Sequence, residues 1–461
     1  MSIIRTKKKS IAVYCGTGNN GGDGLAITQL LFVKGYKSIK VFVARFSDKA
    51  SDDFKTNLAR LKELKFEIIE LSKAADVKKI DSDIIIDALL GSGLNKPLTG
   101  EYKTLVEALN ESGKPIVSVD VPTGLFTEGE ADTDATTIHS ELTITFQQPK
   151  INYLLPESKQ AIKNWVAVDI GIDKTYIDAL DSTYQYIQRE DIVDILKPRG
   201  KFSNKGTYGH ALVIAGQPET MGAALLCSSA CMHAGAGLTT ACIPQSGLTA
   251  LNNYQPEVMV LPREEHKKPK VTWGKFTTVG IGPGLGKEKD ALEILTDLLE
   301  NFNKPFVVDA DALNLLSVSK DLLEKLPENS VITPHMKEFD RLFGEHKNWW
   351  QRLQTAAAKA AELKINIVLK NDYTIIASPK GKVYFNSTSN AAMASGGMGD
   401  VLTGIITAFI AQKYPPVKAC LIGVYVHGLA GDELALPNKK TVVLAGEVMR
   451  QVPATIANLL K

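Results

Sequence analysis

The sequence has little of several features that mark whole classes of protein, and each shortage narrows the possibilities. No apolar run approaches the roughly 20 residues that a membrane-spanning helix needs, and nothing at the N-terminus resembles the apolar core of a secretory signal. The formal net charge is only +2, so no overall field attracts nucleic acid or an anionic membrane surface. We therefore expect no nucleic-acid partner and no membrane partner.

Cysteine is also scarce, with 5 residues in a chain of 461. The cysteines lie mostly in apolar stretches, and their spacing is not that of a metal site. Cys227 and Cys231 fall on a predicted helix, where core packing is the simpler interpretation. Few cysteines of this kind are typical of a reducing compartment, so we expect a cytoplasmic protein.

What the sequence does have is a repeated alternation of apolar strands and helices. With 44% hydrophobic residues, the chain is long enough for two or three globular domains. In the first half, strands are predicted at 11–15, 39–44, 66–70, 83–87, 115–119, 142–146 and 165–168, and the clearest helices at 51–64 and 101–112. This order predicts an α/β fold, with a parallel sheet covered by helices on both faces. We place the domain boundary after residue 190.

A glycine-rich loop follows the first predicted strand. Residues 16–21 match G-x-G-x-x-G and lead into a helix, a setting that indicates a phosphate near the helix N-terminus. A dinucleotide dehydrogenase also needs an acidic residue about 20 positions later, but the next strand ends in Arg45. The loop instead carries Asn19, Asn20 and Asp23, which suit an oxygen substituent or an ion. The pattern therefore disfavours a plain dehydrogenase.

Two further aspartates, Asp87 and Asp120, each close an apolar strand. Either one alone could simply cap the turn that follows. However, the carboxyl ends of parallel strands meet at one edge of a sheet. Together with residues 19–23, these aspartates predict one cleft lined by carboxylates, amides and backbone N–H groups.

The second half repeats the theme most clearly at SGGMGD, which runs directly into an apolar helix. Several free N–H groups at a helix start form a hole for an anion. Asp400 stands where a carboxylate could accept the proton of a hydroxyl group during phosphoryl transfer. The alternative is a tight glycine turn in which this aspartate only caps the helix.

These motifs resemble known families. The second half resembles the ADP/ATP-dependent NAD(P)H-hydrate dehydratases, relatives of the ribokinase-like kinases, through NKGTYGHALVIAG, GIGPGLG, VVDADALNLL, TPHMKEFDRL and GGMGDVLTG. The first half resembles the NAD(P)H-hydrate epimerases through GNNGGDGL, DALLGSGLNKP and SVDVPTGL. The resemblance implies a Rossmann-like three-layer domain at 1–190 and a ribokinase-like α/β domain at 191–461. The fused arrangement resembles bifunctional NAD(P)H-hydrate repair enzymes.

The resemblance also implies substrates and cofactors. NADHX and NADPHX carry a hydroxyl group on the nicotinamide ring, where water has added across a double bond. The epimerase would interconvert the R and S forms. The dehydratase would phosphorylate the S form with ADP or ATP and eliminate phosphate, which restores NADH or NADPH. Mg²⁺ is implied with the nucleotide and K⁺ in the epimerase, and the choices between ADP and ATP and between NADHX and NADPHX stay open.

Residue roles follow from the matched motifs. For the epimerase, Asp120 is implied as the acid or base at the hydroxyl oxygen, and K⁺ is implied at Asn20, Asp87 and Thr123. The implied substrate residues there are Asn19, Asn20, Gly21, Gly22, Asp23, Gly91, Ser92, Gly93, Leu94, Asn95, Lys96 and Pro97. For the dehydratase, Asp400 is implied as the base and Ala224, Gly284 and His335 as hydrate-binding residues. The implied nucleotide-binding residues are Lys370, Asn371, Asp372, Tyr373, Thr374, Asn390, Ser395, Gly396, Gly397, Met398 and Gly399.

The sequence departs from the family pattern at three places, one of which is His139-Ser140-Glu141, where alanine and aspartate are common before the strand. Asn371 stands where glycine usually follows the lysine. The first strand begins near Ile11, whereas epimerase domains usually carry a longer helical segment before it, so we expect a shortened N-terminal domain. Two alternatives therefore stay open: an N-terminal half that binds without catalysing, and a ribokinase-like small-molecule kinase in the second half. The resemblance further implies a homo-oligomer, such as a tetramer formed through the C-terminal half.

Overall fold

The computed structural model describes residues 7–77, 80–131, 134–265 and 273–461. The chain divides into two compact units. The first comprises Met1–Leu180 with Asn348–Trp350, and the second comprises Asp181–Lys347 with Gln351–Lys461. In the described ranges, no helix has the length and apolar character needed to cross a membrane.

The first unit is built on a parallel sheet. Among the described residues its strands are Ile11–Cys15 (β1), Ile39–Ala44 (β2), Ile68–Leu71 (β3), Ile84–Ala88 (β4), Ile116–Val119 (β5), Leu142–Phe146 (β6) and Trp165–Val168 (β7). Its helices are Asn19–Val33 (α1), Asp52–Glu63 (α2), Gly100–Glu111 (α3) and Lys174–Asp178 (α4). The strand order is β3-β2-β1-β4-β5-β6-β7, and every neighbouring pair is parallel.

The alternation of side chains along β1 explains why both faces of this sheet are covered. Ala12 and Tyr14 pack in one core with Leu105 of α3. Ile11 and Val13 point to the opposite face and share a second core with α1 and α2. Since successive side chains of a strand alternate between faces, an all-apolar strand must be buried on both. The result is a three-layer domain.

The second unit is built on a larger, mixed sheet. Its described strands are Tyr184–Ile187 (β8), His210–Ile214 (β9), Leu238–Ile243 (β10), Met259–Pro262 (β11), Thr278–Ile281 (β12), Val307–Val308 (β13), Val331–Ile332 (β14), Asn366–Leu369 (β15), Ile375–Ala377 (β16) and Val383–Asn386 (β17). The order is β11-β10-β9-β12-β13-β14-β15-β16-β17-β8. Only the pairs β15–β16 and β16–β17 are antiparallel among the described strands.

The helices of the second half follow the strands in the same alternating manner. They are Arg189–Ile195 (α5), Met221–His233 (α6), Leu248–Tyr254 (α7), Lys289–Asn301 (α8), Ala310–Val318 (α9), Lys320–Leu323 (α10), Met336–Phe343 (α11), Trp349–Glu362 (α12), Met398–Ala411 (α13), Pro416–Ala435 (α14) and Ala445–Leu459 (α15). Helix α13 is buried from Val401 to Ala411 and packs against α6 and α14. A Cβ atom at Gly404 would lie 2.2 Å from the Cys227 carbonyl oxygen. This close packing fixes where the first turn of α13 lies.

The α/β class and the predicted strands of the first half are confirmed, with strand ends shifted by at most two residues. The domain boundary falls at a different place from the predicted one. Strand β8 pairs with β17 in the second sheet, so the second unit starts at Asp181, ten residues before the predicted start at 191. The partner of β8 lies far along the chain, and local sequence pattern does not reveal such a pairing.

Candidate active sites

The first unit has a cleft at the carboxyl edge of its sheet, where β1, β4 and β5 end. The cleft holds about 550 Å³. Most of its lining residues come from the three loops that the sequence singled out, and Ser51 before α2 and Phe146 at the end of β6 complete the lining: Gly18, Asn19, Asn20, Asp23, Ser51, Leu89, Leu90, Gly91, Ser92, Gly93, Leu94, Asp120 and Phe146. The structure thus brings together most of the residues predicted to contact the substrate.

Five of the residues predicted to contact the substrate lie outside the lining of this cleft. Gly21 and Gly22 are buried, and a Cβ atom at Gly21 would lie 1.8 Å from the Gly16 carbonyl oxygen. These glycines therefore allow α1 to pack closely against its surroundings. Residues Asn95, Lys96 and Pro97 are exposed at the surface of the loop. A contact between these five residues and a substrate stays a prediction.

Asp120 is held firmly at one wall of the cleft. Its backbone has a left-handed φ of 58°, which is strained for a residue other than glycine. Its Oδ1 atom accepts hydrogen bonds from the Thr145 hydroxyl at 3.1 Å and the Phe146 N–H at 3.0 Å. The Lys150 Nζ atom lies 2.9 Å from the same oxygen, and the Tyr153 hydroxyl donates to the Asp120 carbonyl. Sequence reasoning missed Lys150, because a lone lysine after a strand carries no signal.

Asp87 lies beneath the cleft and is fully buried. Its carboxylate accepts hydrogen bonds from the Thr123 hydroxyl at 2.6 Å, the Thr123 N–H at 2.9 Å and the Ser118 hydroxyl at 2.9 Å. Burial raises the pKa of Asp87, and the hydrogen bonds from Thr123 oppose that rise. No salt bridge to Asp87 forms within the described part of the chain.

Asn20 completes this buried group. Its Nδ2 atom donates to the Leu90 carbonyl at 3.0 Å, whereas its Oδ1 atom is buried without a hydrogen-bond partner. Buried polar atoms are almost always paired, and a buried carboxylate without a cation is costly. The oxygen atoms of Asn20, Asp87 and Thr123 therefore fit a cation that takes oxygen ligands.

In the second unit the corresponding sheet edge holds the loops after β9 and β12. Gly284 has a left-handed φ of 57°, and its carbonyl accepts a hydrogen bond from the Thr220 hydroxyl at 2.7 Å. The Gly286 N–H donates to Asp311 at 2.9 Å. The two glycine loops are thereby joined to each other and to α9. Ala224, at the start of α6, is fully buried, so its predicted contact with the hydrate stays untested.

His335 caps the N-terminus of α11. Its Nδ1 atom accepts hydrogen bonds from the Lys337 N–H at 3.0 Å and the Glu338 N–H at 3.3 Å. The Lys370 N–H donates to the Pro334 carbonyl at 3.0 Å, which places the end of β15 beside His335. His335 thus serves as a helix cap in the structure, and its role toward a substrate stays a prediction.

The first turn of α13 lies where the sequence predicted an anion hole, and its N–H groups have the geometry that such a hole requires. Gly397 adopts a left-handed φ of 90° and precedes the helix, and no side chain caps the N–H groups there. Asp400 lies in this first turn. Burial, with a further contribution from the negative charge of Asp309, raises the pKa of Asp400 to about 7, while the Lys370 ammonium group opposes the rise. A carboxylate with this pKa can accept a proton near neutral pH.

Asp309 was missed as a site residue by the sequence reasoning. Its Oδ1 atom lies 2.9 Å from the Lys370 Nζ atom, and its Oδ2 atom accepts a hydrogen bond from the Thr403 hydroxyl at 2.8 Å. A signal was available, because Asp309 closes an apolar strand in the same manner as Asp87 and Asp120.

Part of the segment predicted to bind nucleotide lies beside Lys370, since a Cβ atom at Gly399 would be 3.4 Å from the Lys370 Nζ atom. Both side-chain amide atoms of Asn371 and the Nε2 atom of His427 are buried without a hydrogen-bond partner. Burial and the nearby Lys370 charge lower the pKa of His427 to about 4. The Asn390 amide donates to Asp432 of α14 at 2.7 Å. Unpaired polar atoms of this kind are typical of a site that a ligand completes.

Comparison with known proteins agrees with this arrangement. Residues 211–454 match the family described as NAD(P)H-hydrate dehydratase, and residues 2–152 match the YjeF-related protein N-terminus. The bifunctional NAD(P)H-hydrate repair enzyme Nnr of Thermofilum pendens is 33% identical, over 98% of this chain and 88% of its own length. That of Escherichia coli is also 33% identical, over 92% and 80%.

Solved structures resemble the second unit. A ribokinase-like superfamily protein from Enterococcus faecalis has a TM-score of 0.56 and 30% identity, and covers 61% of this chain and 98% of its own. The ADP/ATP-dependent NAD(P)H-hydrate dehydratase from Bacillus subtilis, co-crystallised with ATP and Mg²⁺, has a TM-score of 0.53 and 29% identity, over 60% and 98%.

The fold and the anion hole therefore define a ribokinase-like α/β enzyme domain that follows a Rossmann-like domain, as the sequence predicted. Both family matches occur in one chain, in the order found in relatives matched over nearly the whole length. The chain belongs to the family of bifunctional NAD(P)H-hydrate repair enzymes.

Proposed function

We propose that this chain repairs hydrated nicotinamide dinucleotides in two steps. The first unit interconverts the R and S forms of NADHX and NADPHX. The second unit transfers a phosphoryl group from ADP or ATP to the hydroxyl group of the S form. Loss of phosphate, together with a proton from the neighbouring ring carbon, then restores the double bond of NADH or NADPH. The observation that carries this proposal is the Asp400 carboxylate in the first turn of α13, between uncapped N–H groups and Lys370.

Asp400 would act as the base in the second unit. The hydroxyl group of the hydrate loses its proton to Asp400 while its oxygen attacks the terminal phosphorus of the nucleotide. The N–H groups at the start of α13 and the Lys370 ammonium group would stabilise the negative charge of the phosphoryl group. Mg²⁺, when bound with the nucleotide, would neutralise further phosphate charge.

In the first unit, Asp120 would act as the acid and the base at the hydroxyl oxygen of the hydrate. Epimerisation requires the hydroxyl-bearing carbon to lose and regain its configuration, and a carboxyl group beside the hydroxyl oxygen can assist by acid and base catalysis. The Lys150 ammonium and the two donors on Oδ1 keep this carboxylate in place. We propose that Asn20, Asp87 and Thr123 hold K⁺, which would neutralise the buried Asp87 carboxylate and fix the nearby loop.

Two further proposals concern the setting of the enzyme. All five cysteines are unpaired and buried, which supports a cytoplasmic location. A homo-oligomer, such as a tetramer, is the assembly implied by resemblance, and light scattering on the purified protein measures it.

The decisive experiment uses a mixture of R- and S-NADHX with Mg²⁺, K⁺ and either ADP or ATP, and follows the absorbance of NADH. The wild-type protein should recover both forms faster than they exchange spontaneously. The variant Asp120→Asn should recover only the S fraction quickly, whereas Asp400→Asn should recover neither but still exchange R and S.

Other outcomes point to the alternatives. Fast recovery of the S fraction alone by the wild-type protein would leave a dehydratase with a non-catalytic N-terminal domain. No recovery with either nucleotide, together with a stable phosphorylated alcohol detected by phosphorus NMR, would replace the proposal with a small-molecule kinase.

A further inference from the structure

Asp309 is the most deeply buried carboxylate beside the anion hole, and it makes two specific contacts there. Its side chain is 2% exposed. One oxygen contacts the Lys370 ammonium at 2.9 Å, and the other accepts the Thr403 hydroxyl hydrogen bond at 2.8 Å. The Lys370 side chain is 22% exposed, so the pair connects the protein interior with the open site.

The backbone around Asp309 is strained in a way that fixes the carboxylate. The next residue, Ala310, has a left-handed φ of 49°, which is unfavourable for a residue with a Cβ atom. A Cβ atom at Gly282 would lie 1.8 Å from the Asp309 carbonyl oxygen, so that only glycine fits there. Strained backbone persists where the surrounding structure determines it, and it is common at functional sites.

The ion pair lies directly against the first turn of α13. A Cβ atom built at Gly399 would be 3.4 Å from the Lys370 Nζ atom and 3.7 Å from an Asp309 carboxylate oxygen. Gly399 immediately precedes Asp400. Asp309 therefore helps to determine where the Lys370 ammonium group stands relative to the uncapped N–H groups.

We propose that Asp309 is a positioning residue of the dehydratase site, which holds the Lys370 ammonium group at the start of α13 and releases it to the phosphate of the incoming nucleotide. This inference rests on the proposed dehydratase function for its kinetic test. It assigns Asp309 no contact with the substrate. Its effect on kcat passes through Lys370, because a lysine side chain without a partner samples several rotamers.

The charge of Asp309 also supplies a readout that a purely structural role lacks. The charged and titratable groups that act on Asp400 are Asp309, which precedes α9, Asp311 in its first turn and Lys370, which follows β15; the Cys227 thiol of α6 also lies nearby. Replacing Asp309 by asparagine removes a negative charge, so the pKa of Asp400 should fall. In the profile of kcat against pH, the acidic limb, where the rate falls as Asp400 becomes protonated, should then move to lower pH.

The test compares Asp309→Asn with Asp340→Asn, a control that breaks another largely buried ion pair, between Asp340 and Arg352 at 2.7 Å, away from the anion hole. We expect kcat for S-NADHX to fall on the order of a hundredfold in Asp309→Asn, the loss typical of a reacting group misplaced by about 1 Å. The nucleotide KM should not rise. The control should lower the thermal midpoint without moving the acidic limb.

A double-mutant cycle locates the effect. If Asp309 acts through Lys370, then Asp309→Asn should change kcat little in a Lys370→Met background. Additive losses, or an acidic limb that stays in place in Asp309→Asn, would overturn the proposal.

A second measurement does not depend on turnover. Carbon-13 NMR of protein labelled at the aspartate carboxyl groups follows the titration of Asp400, whose signal disappears in Asp400→Asn. A lower pKa in Asp309→Asn supports the proposal even if the wild-type protein restores no NADH, in which case only the proposed function fails. If the wild-type protein restores NADH and the titration of Asp400 is unchanged in Asp309→Asn, the positioning role alone is overturned.

Discussion

Replacing Asp400 by asparagine should stabilise the protein while it abolishes dehydration. The pKa of Asp400 rises from the ordinary 3.8 to about 7 in the folded protein, chiefly through burial. At a pH between these two pKa values, Asp400 is ionised in the unfolded chain but mostly protonated in the folded protein, so its ionisation opposes folding. The opposition grows from about pH 4 to pH 7 and stays constant above, because both states are then ionised.

The size of the effect follows from the same difference. A change of about 3 in pKa corresponds to ~4 kcal/mol of unfolding free energy. At ~2 °C per kcal/mol for a domain of this size, the thermal midpoint of Asp400→Asn should rise by up to roughly 8 °C at about pH 8. The rate of S-NADHX dehydration should fall about a hundredfold to ten-thousandfold, as expected for the loss of a general base.

The assay is thermal unfolding followed by circular dichroism at about pH 8 and about pH 4. The stabilisation should be large at the higher pH and should fall to less than about 1 kcal/mol at the lower, where Asp400 is protonated in the folded protein and only partly ionised in the unfolded chain. Glu300→Gln, on the exposed side of α8, serves as the matched control and should change neither midpoint. Equal midpoints for wild type and Asp400→Asn at the higher pH, or a stabilisation of the same size at both, would refute the reasoning.

Three other outcomes are expected. Asp87→Asn should remove the dependence of R/S exchange on K⁺, because it removes the only charged group of the proposed ligand set. The exchange rate is measured at increasing KCl concentrations, and a rate that still depends on K⁺ in the variant would contradict the prediction. Lys150→Met should slow R/S exchange about tenfold or more by freeing the Asp120 carboxylate, measured by chromatography of the two forms, with S-NADHX dehydration unchanged as the internal control. Gly397→Ala should lower the free energy of urea unfolding by about 1–3 kcal/mol, since its Cβ atom would lie 2.6 Å from a Leu226 methyl carbon. Gly396→Ala is the control, because its Cβ atom would meet nothing within 4 Å. Equal losses of unfolding free energy in both variants would refute the steric argument.

The sequence predicted the sheet of the first unit well because its strands are short, mostly apolar and separated by polar loops. Such strands are buried on both faces, so the local pattern and the tertiary environment agree. The same logic placed Asp120 and Asp87 correctly at one sheet edge. The sequence did not predict the place of β8 in the second sheet, since the pairing of this edge strand depends on a partner distant in sequence.

The candidate sites were predictable where a residue type carries its own chemical meaning. Asp400 follows a run of glycines, and that combination indicates an anion hole. Asp309 and Lys150 act through the neighbours that they hold, and only the three-dimensional structure shows those neighbours. Gly21 and Gly22 show why the sequence alone does not separate these roles, because glycines that serve helix packing look identical in sequence to glycines that contact a ligand.

The place of β8 at the rim of the second sheet has a practical consequence for anyone who wishes to produce the dehydratase half alone. A gene that starts at residue 191 would omit β8 and leave the backbone groups of β17 without a neighbour along one side. Unprotected strands of this kind recruit other molecules and promote aggregation. A shortened gene that begins at Asp181 would keep that strand and the ion pair between Asp181 and Lys382, and should yield the more soluble fragment.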